Sequence, residues 1–374
     1  MYTVLEAIAT ANPPNRLTQT EAADFMLKIE SLSSAIKKRI PSIYTHSGID
    51  YRYSCIADYG CDLERFELYP PNWNLLPQPT TFNRNQIYAN YAPKLAFQAS
   101  QQVITDAKLD PRLITHLVTV SCTGFSAPGL DIDLIKKLGL ADTVSRTMIG
   151  FMGCHAAFNG LKTAHAICQS DRQAKVLLVC VELCSLHFQM DNTLENTIIN
   201  AIFSDGAAAA ILEAKSFSEA EGKLAYIDGS SLLIKDTQAL MDWRIGDTGF
   251  LMGLSPQVPE VVAAYLPAYL QSLLASHQLT QKDLDFWAIH PGGRKIVDQI
   301  QSSFNLADGL VADSYEVLRQ YGNMSSPTIL FVLKKLLDRH QSAQTTNSKS
   351  SLENGIALAF GPGLTIEGCL FQKV

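Results

Sequence analysis

No apolar run in this chain reaches the roughly 18 to 20 residues that a helix needs to cross a bilayer, so no membrane-spanning segment is expected. The N-terminus, Met1-Tyr-Thr-Val-Leu-Glu-Ala7, lacks a basic start followed by a long apolar core; no secretory signal is read there, and the expected location is cytoplasmic. Positive charge is not in excess either. With 30 Lys and Arg against 36 Asp and Glu, the formal net charge of −6 argues against a nucleic-acid partner, while leaving room for a local basic patch that serves an anionic ligand. No pair among the eight cysteines has zinc-ribbon spacing, and Cys180, Cys184 and Cys369 lie inside apolar strand-like runs. They read as reduced core residues rather than a disulfide framework or a metal site.

What is present is ordinary for a soluble enzyme: 374 residues, 47% hydrophobic and 18% charged, ample for a large α/β core in one unit or two. The stretch that stands out is 143–169. A short β-rich run tightens at Gly153 and continues into an amphipathic helix with apolar positions at Ala157, Leu161, Ala164 and Cys168. Cys154 is therefore expected at a helix N-terminus. Unpaired N–H groups and the positive end of the helix dipole favour a thiolate there, so its pKa is expected below the free value of about 8.5. Taken alone, Cys154 is either a nucleophile or a buried structural cysteine.

Residues 1–30 hold a short strand and then a polar helix starting near Thr18. Lys37, Lys38 and Arg39 follow, with His46 and Arg52 close behind, and this cluster is either a solvated helix face or a landing site for phosphates. The proline-rich run 55–85 reads as a long ordered loop, and a helix over roughly residues 85–107 comes next. Residues 117–123 read as a buried strand with a turn over 124–129 at its carboxyl end, where ligands of α/β sheets tend to sit. Another apolar strand covers 176–182, and a turn at Asp205-Gly206 leads into a small-residue strand. The alternation argues for a layered α/β fold, with 214–222 as a weak boundary between halves.

In the second half, a short apolar strand ends in His290 and is followed by Pro-Gly-Gly, glycines that let backbone approach a ligand closely. A histidine at a strand end is equally able to be a satisfied core group. Further on, Tyr321-Gly-Asn323-Met-Ser-Ser opens a strongly amphipathic helix, with Pro327 suited to its first position, and residues 341–353 read as a polar loop. Beside Met152-Gly-Cys154-His-Ala-Ala, this second helix entry is a faint internal repeat of the kind a duplicated half-domain leaves. A pseudo-twofold arrangement would bring Cys154 and Asn323 to one central pocket, with His290 between them.

Five motifs in order now carry a specific resemblance: Gly153-Cys154 with its helix, Phe203-Ser-Asp-Gly-Ala-Ala-Ala, His290-Pro-Gly-Gly, Tyr321-Gly-Asn323-Met-Ser-Ser, and Ala359-Phe-Gly-Pro-Gly-Leu-Thr-Ile-Glu367. Along nearly its full length the chain resembles a type III polyketide synthase, the chalcone-synthase-like branch of the thiolase superfamily. The resemblance implies an α/β, thiolase-like five-layered αβαβα fold with two pseudo-duplicated halves: 1–220 with the nucleophilic cysteine, 221–374 with the histidine and asparagine. It implies that Cys154 holds an acyl group from an acyl-CoA or acyl carrier protein starter as a thioester, with His290 pairing the thiolate. His290 and Asn323 would then stabilise the enolate formed when malonyl-CoA loses carbon dioxide, each donor worth roughly 3 to 4 kcal/mol. No metal or other cofactor is implied, and a homodimer is expected by analogy.

The same resemblance makes Phe203 and Phe250 gatekeeping aromatics, core packing being their alternative. It sets Lys37, Lys38, Arg39 and His46, with Gly292 and Gly293, at the CoA site. Ser325, Gly361, Pro362 and Gly363 would shape the pocket, although such glycines also suit hairpin chemistry. Where plant chalcone synthases have small threonine-like or glycine residues, this chain has Cys122, Cys184, His187 and Met241, which would reshape the cavity. The runs 241–250 and 69–80 look closer to microbial members that take fatty acyl starters, so an alkylresorcinol, phloroglucinol or pyrone is expected rather than a flavonoid. Ala127 stands where plant enzymes reach a methionine across a dimer interface. A β-ketoacyl carrier-protein synthase would share the Cys, His and Asn logic, but carries His-Gln-Ala-Asn in place of His-Pro-Gly-Gly. A thioester hydrolase and a non-catalytic acyl-CoA-binding relative are the remaining alternatives, the latter disfavoured by the presence of all three of Cys154, His290 and Asn323.

Overall fold

Runs of small and β-branched residues determine where the sheet is thickest with helices. A computed structural model describes residues 1–344 and 353–374. In chain order its strands are β1 (Tyr2–Ala11), β2 (Asn15–Thr18), β3 (Tyr51–Ser54), β4 (His116–Ser121), β5 (Ser145–Gly150), β6 (Lys175–Leu183), β7 (Asp205–Lys215), β8 (Leu224–Leu233), β9 (Met241–Gly246), β10 (Gly249–Leu254), β11 (Phe286–Ile289), β12 (Asn354–Gly361) and β13 (Thr365–Lys373). Nine of them form one sheet in the order β11-β12-β13-β8-β1-β7-β6-β4-β5. Two halves meet at its middle, where β1 and β8 are joined through only Thr3↔Tyr226 and Val4↔Ala225. The pairs β4/β5, β4/β6 and β11/β12 are parallel and the remaining ladders antiparallel.

Period-two alternation assigns the two faces. Along β7, Ala207, Ala209 and Ile211 belong to an outer core, while Ala208, Ala210 and Leu212 belong to an inner one. The alanines leave room for helices to lie close on both sides, which is why this strand reads as apolar throughout. The inner core gathers the helices Ala156–Ser170 and Thr328–Gln344 between both halves of the sheet, with Leu161, Ala164, Ile329 and Leu333 all buried. Outside the first half lie the helices Thr81–Asp106 and Gln19–Lys28, and outside the second lie Val258–Ala275 and Arg294–Phe304. The layers therefore run helix, sheet, helix, sheet, helix.

Local signals explain most boundaries. Thr18 caps the helix Gln19–Lys28 in a reciprocal box with Glu21. The long helix starts at Thr81, four residues before the expected 85, because Thr80 and Asn83 form a second such box. The strand expected over 117–123 ends at Ser121, so that Cys122 and Thr123 turn out of the ladder. The last central helix runs to Gln344, into the expected polar loop, and residues 345–352 of that loop lie outside the described residues. Among the described residues, no helix is long and apolar enough to cross a membrane.

Candidate active site

Both helices of the central layer begin at the same place in the fold, and their entries carry the chemistry. After β5 the chain reverses through Phe151 and Gly153, both at positive φ, into a tight turn Gly153–His155 that continues as the helix Ala156–Ser170. Two glycines make the turn possible. A Cβ on Gly153 would lie 2.4 Å from Pro362 Cδ, and one on Gly361 would lie 1.9 Å from His155 Nδ1. The tip of the β12–β13 hairpin is thus packed directly on the cysteine turn, and Gly363, at φ 76°, closes that hairpin. Underneath, Gly153 N donates to Cys122 Sγ at 3.1 Å.

Asn323 is held from all sides. Its backbone N–H donates to Ile202 O and its carbonyl accepts from Ser204 N, both at 2.9 Å, forming a bridge to Phe203. Its side-chain Nδ2 donates to Gly292 O at 3.0 Å and its Oδ1 accepts from Ser325 N at 2.8 Å, with Ser325 at φ 59°. The Asn323 and Ser325 side chains both approach the Cys154 thiol closely enough to favour its charged form. His290 follows the end of β11, where its N–H donates to Leu358 O at 2.8 Å. The Nε2 edge of its ring faces Gly292, so Gly292 links His290 to Asn323. Cys154, His290 and Asn323 are all buried, at 8%, 1% and 1% exposure.

The electrostatics differ from the expectation for a helix N-terminus. Burial pushes the Cys154 thiol up to about 11, outweighing the pull of Ser325 and Asn323. Burial first, and then the charge of nearby His155, pushes His290 down to about 3. Burial thus favours the neutral form of both groups in the resting pocket.

Cys154 lines a cavity with about 370 Å³ of empty space, together with Cys122, Cys184, Phe203, Met241, Ser325 and Pro362. A second, part-open cavity, with about 750 Å³ of empty space counting its solvent-open mouth, is lined by Leu17, Ala22, Phe25, Met26, Tyr44 and Phe188 and also by the polar Arg52, Gln189, Asn196 and Asn200. Cys184, Phe203, Trp243 and Met252 line both cavities, so they form the wall between them. Phe250 faces only the larger cavity. It is 1% exposed and stacks on His187 with ring centres 4.1 Å apart. The His187 ring is locked as a neutral tautomer, Nε2–H donating to Thr123 O at 2.7 Å while Nδ1 accepts from Phe250 N at 3.0 Å. Burial holds it down to about 3.

Lys37, Lys38, Arg39, His46, Gly292 and Gly293 are not among the residues that line the cavity of Cys154. Lys38, Arg39 and His46 are exposed and Lys37 half-buried, and among the described residues none of the four has a carboxylate within ion-pair distance. They flank the short helix Ile40–Thr45, whose Tyr44 faces the larger cavity. Gly292 has its carbonyl engaged by Asn323, and Gly293 stands at the start of the helix Arg294–Phe304.

Three residues were not singled out by the sequence. Trp243 donates from Nε1 to Cys122 O at 2.8 Å and separates the two cavities. His155 is 2% exposed behind the cysteine. Glu182, fully buried at the end of β6, accepts from Cys122 N, Thr123 Oγ1 and Ser326 Oγ, tying the floor of the pocket to the entry of the second central helix. The one sequence signal for it is a carboxylate closing an otherwise apolar strand.

Burial pushes Glu182 from its ordinary 4.5 up to about 7. The folded protein therefore binds this proton more tightly than the unfolded chain does. Its contribution to stability is full below pH 4.5 and falls as the pH rises toward 7, by roughly 3 kcal/mol in all. Glu182→Gln keeps the shape and an acceptor without the charge. Urea midpoints of the variant between pH 5 and 8 should fall less steeply than those of the wild type; parallel slopes would refute the assignment.

Residues 2–216 match the N-terminal domain of the chalcone and stilbene synthases, and residues 228–374 match the C-terminal domain. The alpha-pyrone synthesis polyketide synthase-like Pks18 of Mycobacterium tuberculosis is 32% identical over 373 residues, 99% of this chain and 91% of that one. Polyketide synthase 37 of Dictyostelium discoideum is 33% identical over 380 residues, 100% of this chain and 12% of that protein. The crystal structure of PKS-I from the brown alga Ectocarpus siliculosus superposes with a TM-score of 0.95 at 36% identity, covering 100% of this chain and 98% of that one. The C-terminal type III polyketide synthase domain of Steely1 from Dictyostelium superposes at 0.87 with 27% identity, covering both chains fully.

Proposed function

The chain belongs to the chalcone and stilbene synthase family, the type III polyketide synthases, acyltransferases with the thiolase-like five-layered fold that condense malonyl-CoA with decarboxylation; from that premise we propose that it extends a fatty acyl starter held on Cys154 and closes the product to an alkylpyrone or alkylresorcinol-type ring. The observation that carries the fatty acyl reading is the second cavity. It meets the Cys154 pocket at Cys184 and Phe203 and is walled by Leu17, Phe25, Met26 and Phe188, a lining suited to methylenes rather than to a polar starter.

The steps follow from the named atoms. Cys154 Sγ passes its proton to His290 Nε2, the thiolate attacks the starter thioester, and CoA leaves as a thiolate that is protonated by solvent, so that His290 keeps its proton on Nε2. Malonyl-CoA then loses carbon dioxide, and the enolate oxygen accepts hydrogen bonds from His290 and Asn323. Asn323 Nδ2 has two hydrogens; Gly292 O takes one, so the other is available for the enolate. The enolate carbon attacks the Cys154 thioester, the thiolate leaves, and the chain on CoA is two carbons longer. Phe203 and Phe250 are read as gatekeeping aromatics that flank the junction between the CoA tunnel and the pocket, and Lys37, Lys38, Arg39 and His46 as groups for the CoA phosphates, supported by the exposure of Lys38, Arg39 and His46 and by the lack of a carboxylate within ion-pair distance of any of the four among the described residues.

A homodimer is part of the reading. The edge strand β5 is exposed along most of its length, and Met148, Phe125, Phe151 and Met152 are exposed beside it at 48%, 52%, 37% and 37%. An open edge with apolar neighbours favours pairing with a second copy. The test incubates purified protein with malonyl-CoA and a ladder of acyl-CoA starters, beside Cys154→Ala, and reads products by mass spectrometry after sizing the protein in solution. Pyrone or resorcinol masses that peak with long starters, from a dimer, and vanish with Cys154→Ala are expected. Release of free acid alone, or equal product from the variant, would make the condensing role of Cys154 wrong.

A further inference from the structure

Buried polar side-chain atoms are hydrogen-bonded as a rule. Among the described residues seven such atoms bond no protein group, and four of them are His155 Nδ1, Asn159 Oδ1 and both ring nitrogens of His290. Strand alternation brings them together. Phe286 and Ala288 of β11 face the inner core while Trp287 and Ile289 face the outer one, so His290 continues the inner row. On β12, Ala357 and Ala359 face inward and Gly361 is next in that row. His155 rests on Gly361, two residues along β12 from Ala359, which the register puts level with His290, and the two rings are near enough for charge on His155 to act on His290. Asn159, four residues after His155, shares its face of the helix start.

A neutral imidazole carries its proton on one nitrogen, and the partner of the other nitrogen decides which. To accept a proton from Cys154 on the Nε2 edge that faces Gly292, His290 needs its own proton on Nδ1 and an acceptor there. No protein atom supplies one. We propose that His155 is a positioning residue which, with Asn159, holds one ordered water against His290: the water accepts from His290 Nδ1–H and donates its two hydrogens to His155 Nδ1 and Asn159 Oδ1. This fixes the tautomer that leaves Nε2 open toward Cys154. The groups facing His155 keep it an acceptor. Burial and then Lys162, on its own helix and paired with Glu367 of β13 at 2.7 Å, push it down to about 4, and burial likewise favours the neutral form of His290, which follows β11.

The inference rests on His290 acting on Cys154, as proposed above, and the experiment separates the two. His155→Phe keeps a ring on Gly361 without an acceptor, and His155→Asn keeps an acceptor near the Nδ1 position. Alkylation of Cys154 by iodoacetamide is followed on its peptide as a function of pH, beside steady-state turnover and melting temperature. His155→Phe is expected to lower kcat roughly tenfold at unchanged KM for malonyl-CoA. It should also move the alkylation profile up by about one pH unit, and His155→Asn should recover most of both. A wild-type profile in His155→Phe, with a shifted one in His290→Ala, overturns the positioning role alone. An unshifted profile in His290→Ala overturns the catalytic reading beneath it. Should His155→Phe fail to fold, Asn159→Leu removes the water's other acceptor, and a wild-type profile there overturns the proposal.

Discussion

Asn323→Ala is expected to lower decarboxylation of malonyl-CoA by roughly a hundred- to a thousandfold, the usual loss on removing one oxyanion donor, while starter transfer to Cys154 continues. The split follows from where charge develops. In the proposed mechanism acyl transfer needs the thiolate, which His290 would serve, whereas the enolate needs donors on its oxygen, and the Asn323 Nδ2 hydrogen not taken by Gly292 O would be one of them. The backbone of Asn323 is fixed independently of its side chain through Ile202, Ser204 and Phe203, so the entry of the second central helix should survive truncation. Carbon dioxide release from malonyl-CoA measures the first step, and intact mass of the acylated protein measures the second. Equal losses in both would mean that Asn323 shapes the pocket without acting on the enolate.

The parts of this site that local sequence could announce are those built on backbone exceptions and apolar periodicity. Gly153 marks the turn that presents Cys154, the glycines after His290 mark a strand that stops abruptly, and Gly322, at φ 68°, marks the reversal before Asn323. The strand β6 was legible because every residue from Val176 to Val181 is apolar and buried. What stayed hidden depends on partners far along the chain. The order of the sheet is one case, since β1 pairs with both β7 and β8 through residues 196 to 223 positions apart in the chain. Glu182 is another: one carboxylate at a strand end becomes a junction only once Ser326 arrives from the other half. The protonation of Cys154 is a third. The helix start alone favours a thiolate, but the surrounding residues bury the sulfur, and desolvation outweighs the local field.

Filling the far end of the larger cavity should change chain-length preference more than any other single substitution away from the thiol. Ala22 lies on the capped helix Gln19–Lys28, is 4% exposed, and lines that cavity beside Phe25 and Met26 but not the cavity of Cys154. A phenyl ring introduced there takes the room of about four methylenes, and at about 0.8 kcal/mol for each buried CH₂ the loss is about 3 kcal/mol, a factor of more than a hundred. Ala22→Phe is therefore expected to lower kcat/KM for long acyl starters by about that factor and to leave starters of a few carbons nearly unchanged, because the wall formed by Cys184 and Phe203 is untouched. Competition between a short and a long acyl-CoA in one tube, read by product mass, measures the ratio directly. The alternative has its own signature. If the acyl chain does not enter this cavity, the new ring only overpacks the core, typically by 1 to 3 kcal/mol, and long and short starters fall together with the melting temperature or not at all.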